Sequence, residues 1–534
     1  MNMNKISVTD YHQRSKHRMQ QYANGPDGLD WATQANPFRE FSGCPQIELP
    51  RTTQQFNANF ADIYQREKLP GTKTDGDAIG ALFELAMGLS AWKVAGQTRW
   101  ALRNNPSSGN LHPTESYLIT SGIDNIAAGV YHYHSYLHCL EQRCAFATPP
   151  AADSLLIGLS SIHWREAWKY GERAYRYCQH DVGHAIAAFS YAAATLGWQI
   201  EVLEPCSDQH INRLLGLDRQ SDFNNAEHET ADVLLQIHTR AKQLSVNIDN
   251  LITCARQGNW QGQANCLSPQ SHIDWPVIDD ISNTCIKPQT ESAGWKPPPL
   301  PDLMTCPSTA QATTIIQQRR SAQAFDGIST LPLQNFYRML DSILPRQNTP
   351  PFDSLHHAPR IHLALFIHRV EGMEPGCYIL ARSATGEKIL RENLSAEFDW
   401  IKPATTPDHL ALYQLVIGNS QNAARAISCH QDIAADSAFS LGMLAEFDSN
   451  IQDKPWQYRQ LFWEAGMLGQ TLYLEAEAAD VRATGIGCYF DDTMHEILGI
   501  ENTALQSMYH FTVGTAITDE RIATEPAYQH LKDR

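Results

Sequence analysis

At 534 residues, with 43% hydrophobic and 19% charged side chains, the chain holds core-forming material for two or three domains of roughly 100–200 residues each. A net charge of −17 argues against nucleic acid or an anionic membrane surface as a main partner, and no apolar run approaches the ~18 residues of a membrane helix. Twelve cysteines without a Cys-x-x-Cys pair read as reduced thiols, and the polar residues 1–21 lack an apolar signal segment, so a cytoplasmic protein is expected.

Residues 1–74 are polar and weakly patterned and read as an N-terminal arm or cap, with a short helix near 59–66 and a turn at Leu69-Pro70-Gly71-Thr72. From 77 to 90 the apolar positions Ile79, Leu82, Phe83, Leu85, Ala86 and Leu89 recur at helical spacing, with Asp75 or Asp77 placed to cap. Next comes Arg103-Asn104-Asn105-Pro106-Ser107-Ser108-Gly109-Asn110-Leu111-His112-Pro113, leading into a strand at 116–120. Two prolines fix backbone angles, and Gly109 and Asn110 tolerate positive φ. The amides, the hydroxyls of Ser107 and Ser108, the Asn110 side chain and Arg103 would then converge on one small volume. Such a polar cradle suits a phosphate or a heteroaromatic ring; a well-capped loop uses the same residues.

Alternation predicts a strand over 129–134 and a second near 137–140. His132, His134 and His138 there invite a metal reading, but no carboxylate or cysteine completes a set at a familiar spacing, and the polar face of a hairpin is the competing reading. The aromatic and charged run 160–177 leads into an alanine-rich helix over 181–196, whose small residues suit close helix packing; a buried strand follows at 232–239. Between 246 and 310 the chain is polar and ends in Lys296-Pro297-Pro298-Pro299-Leu300-Pro301, which reads as a semi-rigid linker. Beyond it come Arg319-Arg320-Ser321, a helix over 332–343, strands at 361–367 and 376–380, a long helix over 457–479, the Gly485-Ile486-Gly487 loop, a short helix to Leu498-Gly499, and a last strand at 509–514.

The element order repeats. Arg176, Gly183, Asp208, Leu215 and Gly216 match Arg459, Gly466, Asp491, Leu498 and Gly499 at one constant offset without a gap. Two halves joined by a linker then suggest a fused dimer with a pseudo-two-fold axis.

Several motifs resemble the FMN-dependent nitroreductase-like superfamily, most closely its SagB/ThcOx-type azoline dehydrogenase branch. In the first half they are Pro106–Pro113, Tyr131-His132-Tyr133, Lys169-Tyr170-Gly171 with Arg173-Ala174-Tyr175-Arg176, and Asp181-x-Gly183-His184. In the second they are Arg319-Arg320-Ser321 with Phe325, Gly485-Ile486-Gly487 with Phe490-Asp491-Asp492, and Val513-Gly514. The resemblance implies an α+β fold of two tandem domains, each a mainly antiparallel sheet wrapped by helices, at 75–245 and 311–523, paired as an intrachain pseudo-dimer and followed by a tail at 524–534. It also implies FMN between them, held by Arg319, Arg320 and Ser321, by backbone at Gly485, Ile486 and Gly487, and by Pro106, Ser107, Ser108 and Asn110 across the interface. Gln323 stands where the family carries a third basic residue; Arg521 or Arg103 could compensate. The Lys169-Tyr170 pair resembles the proton acceptor of azoline oxidation. Hydride transfer at flavin N5 is the implied chemistry, on a small-molecule or peptide substrate, with NADH or NADPH as a possible hydride donor. Each half keeps motifs the other lacks, so one FMN per chain is expected. A flavin-binding scaffold without turnover is the alternative.

Overall fold

The structure is a computed structural model that describes residues 6–239, 246–268 and 273–532. The stretch 240–245, where the first domain is expected to end, lies outside the described residues, as do 1–5 of the arm, 269–272 of the linker and 533–534 of the tail.

The first half forms strands β1 (Thr114–Thr120), β2 (Gly129–His134), β3 (Cys139–Ala145), β4 (Leu155–Ser161), β5 (Gln199–Val202) and β6 (Thr230–His238), antiparallel in the order β3-β2-β1-β4-β6-β5. The second half forms β7 (Ile361–Ile367), β8 (Gly376–Ala381), β9 (Ala411–Ile417), β10 (Phe439–Glu446), β11 (Arg482–Ile486) and β12 (Leu505–Gly514), in the order β9-β8-β7-β10-β12-β11. Strand for strand, the two orders are the same. The chain is thus an α+β protein of two halves with one topology.

Successive strand residues point to opposite faces, and the core divides accordingly. Tyr117, Ile119 and Leu156 face a core private to the first half, and Ala364 and Phe366 face its counterpart in the second. Leu118, Ile157, Leu363 and Leu365 turn the other way, into a single core drawn from both halves. Between the sheets run helices α1 (Gly76–Met87), α2 (His163–Tyr170), α3 (Ala174–Thr195), α4 (Leu333–Ser342) and α5 (Gln457–Ala478). Asp75 caps α1, its side chain accepting from the Ala78 N–H at 3.0 Å.

Helices α3 and α5 cross at two glycines. A Cβ on Gly183 would lie 2.2 Å from the Trp463 carbonyl, and a Cβ on Gly466 would lie 2.2 Å from the His180 carbonyl. Two ion pairs repeat this reciprocity: Arg176 binds Asp491 at 2.7 Å, and Arg459 binds Asp208 at 2.5 Å, all four side chains at most 7% exposed. Each contact maps onto its mate through the offset seen in the sequence, as a self-complementary interface requires.

Three segments differ from expectation. Helix α1 stops at Met87, because the Gly88 N–H closes onto the Phe83 and Glu84 carbonyls. The chain then turns into a hairpin, Leu89–Ala95 with Thr98–Arg103, onto which Ala523–Glu525 of the C-terminal tail pairs. Helix α3 begins at Ala174 rather than 181, since the charges of its first turns are buried in ion pairs and not solvated. The 246–310 stretch, expected as a linker, carries helices Ile248–Gln257 and Pro276–Thr284, and its Asn259–Trp260 pairs with β3; from 285 onward it has no helix or strand. Strand Gln46–Glu48 of the arm also pairs with β3. The histidine trio is buried: His132 bridges Glu115 and Glu141 at 3.1 and 2.9 Å, and His138 meets the Tyr133 hydroxyl at 2.8 Å. Among the described residues no helix is long and apolar enough to cross a membrane.

Candidate functional site

The loop after the hairpin is tightly tied. Gly109, Asn110 and His112 all have positive φ (59°, 60° and 52°). The His112 N–H donates to Ser107 Oγ at 2.8 Å, Asn110 Nδ2 donates to the Ala101 carbonyl at 2.7 Å, and Asn110 Oδ1 meets His112 Nε2 at 3.0 Å. The Ser108 N–H donates to Asp181 on α3 at 3.2 Å. Asn110 therefore spends its side chain shaping the loop.

The second half reaches across to this loop. Arg319 Nε and Nη2 each donate at 3.2 Å to the Asn104 and Arg103 carbonyls, while Nη1 is buried without a partner. Arg320 turns its guanidinium onto the Gln317, Arg319 and Ser90 carbonyls. Ser321 Oγ meets the Tyr473 hydroxyl at 2.9 Å, and that hydroxyl accepts from the Gly485 N–H at 2.8 Å. A Cβ on Gly485 would lie 1.8 Å from the Tyr509 hydroxyl, and one on Gly487 would lie 2.2 Å from the Tyr177 ring. A Cβ at either position would run into a tyrosine side chain, so the chain passes close to both rings here, and Gly485, Ile486 and Gly487 border an open space.

That space is a cavity of about 450 Å³ with walls from both halves, within the ~300–1,000 Å³ of small-molecule sites. Arg103, Pro106, Ser107, Ser108, Asn110, Tyr170, Arg319, Arg320, Ser321, Gln323, Gly485, Ile486 and Gly487 all line it. Lys169 stands just behind, its Nζ 3.1 Å from where a Gly109 Cβ would be and 5.2 Å from the Tyr170 ring centre. Arg521 is not brought in: Asp519, two residues earlier, holds it at 2.7 Å, and its side chain is 88% exposed.

The wall also holds His184, the end of the Asp181-x-Gly183-His184 motif, and residues that no motif marked: Lys93 from the hairpin, Arg482 at the start of β11, Tyr177, Cys488, and Thr524 from the tail strand. For Lys93 the available signal was strand alternation after Gly88. Arg482 had none in sequence, because only β11's pairing with β12 points it inward. Lys93, Arg319, Arg320 and Arg482 gather at the cavity, and among the described residues none of them has an ion-pair partner. Burial, then Arg319, pushes Arg320 down to about 10; burial also lowers Arg319 and Lys93. An anion entering here would relieve that mutual repulsion. Arg103 sits apart, donating to the Pro37 carbonyl, and burial brings it down to about 10.

At the opposite wall burial, then Glu166, raises the Tyr170 phenol well above its ordinary range. Burial also raises the Glu166 carboxyl, whose two oxygens have no hydrogen-bond partner, with Asp181 pushing it up and Lys169 pulling it down. At the pseudo-symmetric position, where Glu464 stands for Asp181 at the same offset, the space shrinks to about 10 Å³. Phe352, Leu355, Arg382 and Glu464 fill it, the last two as a buried ion pair.

Fold and cavity together define a two-domain α+β protein with a basic cavity between its halves. A nitroreductase candidate from Anabaena variabilis matches 96% of this chain and 100% of its own, at 21% identity and a TM-score of 0.67. The chain therefore has the nitroreductase fold over nearly its whole length. Two shorter likenesses are weaker: the Escherichia coli microcin synthetase McbBCD with truncated pro-MccB17 bound (13% identity, 38% of this chain and 70% of that one, TM-score 0.28), and an FMN complex of a nitroreductase candidate from Exiguobacterium sibiricum (12%, 40% and 92%, 0.24). No protein-family profile and no curated protein sequence matches the chain.

Proposed function

We propose that the chain is an FMN-dependent oxidoreductase with one FMN per chain in the cavity between its halves. The observation that carries this reading is the meeting, in one cavity, of the buried, unpartnered Nη1 of Arg319 and the Gly485–Gly487 segment from one half with the Pro106–Asn110 loop of the other. Arg319, Arg482 and Lys93 would hold the phosphate, Ser321 and Gln323 the ribityl chain, and the 485–487 backbone the ring edge. Arg320, already engaged with three carbonyls, acts by fixing the hairpin and adding positive potential. Bound FMN supplies hydride transfer at N5. The filled counterpart around Phe352 and Arg382 supports a single site.

Lys169 and Tyr170 face the same loop, at Gly109, and would take the proton that must leave the atom next to the one giving up hydride. This favours dehydrogenation of an azoline-type ring in a small molecule or peptide. NADH- or NADPH-dependent reduction at the same cavity is the second reading, and a flavin-binding scaffold without turnover the third. Purified protein should show a flavin spectrum with one FMN per chain. Bleaching by NADH or NADPH would select the second reading, and an FMN that no nicotinamide or azoline substrate reduces would select the third. A colourless protein that cannot be reconstituted, or two FMN per chain, would refute the proposal.

A further inference from the structure

Cys429 and Cys488 lie 59 residues apart in sequence, yet their sulfurs are 2.8 Å apart. No other two cysteine sulfurs among the described residues come within hydrogen-bond distance. Cys488 follows Gly487 on the cavity wall, so its sulfur is reachable by a small molecule. Cys429 comes from a turn clamped against the same wall: the Phe490 N–H donates to the Ile427 carbonyl at 2.8 Å, and Gln431 Nε2 bridges the Ser428 and Cys488 carbonyls at 2.9 and 3.1 Å. Cys429 and the next residue, His430, both have positive φ, 51° and 59°. Two successive non-glycine residues in that region are strained, and such strain persists only where the surroundings impose it. Here it delivers one thiol onto another.

The neighbours suit a reactive sulfur. His17 accepts the Ala23 N–H on Nδ1 at 3.0 Å, which leaves its other nitrogen for the thiols. Arg173 donates to the Gly487 carbonyl at 3.2 Å and stands behind the pair. Hydrogen bonding with Cys429, then the His17 ring and the Arg173 guanidinium, outweigh burial and bring the Cys488 thiol down to about 5, while the Cys429 thiol is raised. That split is the one a nucleophilic and a resolving cysteine need.

We propose that Cys429 and Cys488 form a redox-active dithiol at the cavity rim, oxidised to a disulfide by low-molecular-weight disulfides of the glutathione class and reduced again by the corresponding thiols. In the first step the Cys488 thiolate attacks one sulfur of the small disulfide; a protein–small-molecule mixed disulfide forms and one small thiolate leaves. In the second, Cys429 gives its proton to a departing thiolate and attacks the Cys488 sulfur, expelling the second small thiol. Two protein thiols are oxidised and one small disulfide is reduced to two thiols. The closed bridge would pin the 485–490 wall of the cavity to the 427–431 turn. None of this requires a flavin in the cavity.

The test uses the reduced full-length chain, treated with oxidised glutathione at pH 7, acid-quenched and analysed by intact and peptide mass. The expected product has lost two hydrogens and yields a peptide cross-linked between Cys429 and Cys488. Cys429→Ser should instead keep one glutathionyl group on Cys488, and Cys488→Ser should give neither cross-link nor adduct at Cys429. In the untreated wild-type protein at pH 6, iodoacetamide should modify Cys488 at least about tenfold faster than the exposed Cys266. No 429–488 cross-link in the wild-type chain, or alkylation of Cys488 no faster than that of Cys266, would overturn the proposal; neither measurement depends on a variant folding.

Discussion

Replacing Asp491 by Asn removes one charge from the centre of the interface and leaves the shape nearly unchanged. Asp491 is fully buried and accepts from Arg176 at 2.7 Å, from Arg173 at 3.1 Å and from the His17 N–H at 3.3 Å. Losing one partner of a buried ion pair costs about 3–5 kcal/mol, because the remaining charge stays desolvated. Two guanidiniums are stranded here, so the upper end is expected. Asp492→Asn is the comparison: its carboxylate is 37% exposed, between the buried Lys16 and the 41% exposed Arg18, so water can replace part of what is lost and the cost should be smaller than for Asp491→Asn. Urea unfolding followed by circular dichroism reads both. The pH dependence gives a second check. Burial alone would raise the Asp491 carboxyl, but Arg173 and Arg176 outweigh it and depress it strongly. Its contribution is therefore complete above the unfolded value of about 3.9 and is lost as pH falls below that. The gap between wild type and Asp491→Asn should be constant from pH 5 to 7 and close towards pH 3. A loss below about 1 kcal/mol, or a gap unchanged at pH 3, would refute the reasoning.

Burial would lower His132, but its bonds to Glu115 and Glu141 raise it to about 9. A raised histidine stabilises fully below its unfolded value near 6.5 and loses that contribution as pH climbs through 9, about 3 kcal/mol in all; His132→Gln should flatten the urea midpoint between pH 6 and 9, and a parallel profile would contradict this. Gly183→Ala and Gly466→Ala each push a methyl onto a backbone carbonyl of the other helix, so each should cost about 1–3 kcal/mol by urea unfolding, with similar values at the two equivalent sites. A neutral result at either would show that the crossing is looser than described. In a flavin-fluorescence titration Arg482→Gln should weaken FMN binding by tenfold or more. Arg521→Ala, already held by Asp519 in solvent, should stay within about twofold, and the reverse order would move the phosphate to the tail.

The repeat was legible because its five matching positions each answer to a contact. Arg176 with Asp491 and Arg459 with Asp208 are the two buried ion pairs; Gly183 and Gly466 are the helix crossing; Leu215-Gly216 and Leu498-Gly499 end their helices in a left-handed cap. The cradle loop was legible through Pro106, Gly109 and Asn110, whose backbone requirements are local. The hairpin Leu89–Arg103 was not, since Leu89 continues the helical period of α1 and only the closure at Gly88 breaks it. The first turns of α3 were hidden because Arg173 and Arg176 look like surface charges until their partner, more than 300 residues away, is in place. Arg482 was invisible for a similar reason, since strand pairing aims it and no short pattern records that; Lys93 went with the missed hairpin, where alternation after Gly88 was the available signal.

The reciprocal interface lies within a single polypeptide. A tethered pair meets at an effective concentration set by its connection, on the order of millimolar for short flexible tethers, so dilution does not separate the halves. A further consequence concerns inheritance. In a homodimer every substitution appears twice, and a change that closes one cavity closes both. Here a substitution in one half leaves the other untouched. Phe352, Arg382 and Glu464 could fill one position while Gly109, Gly485 and Gly487 kept the other open. A tethered pair can therefore hold one position open while its counterpart is packed as core.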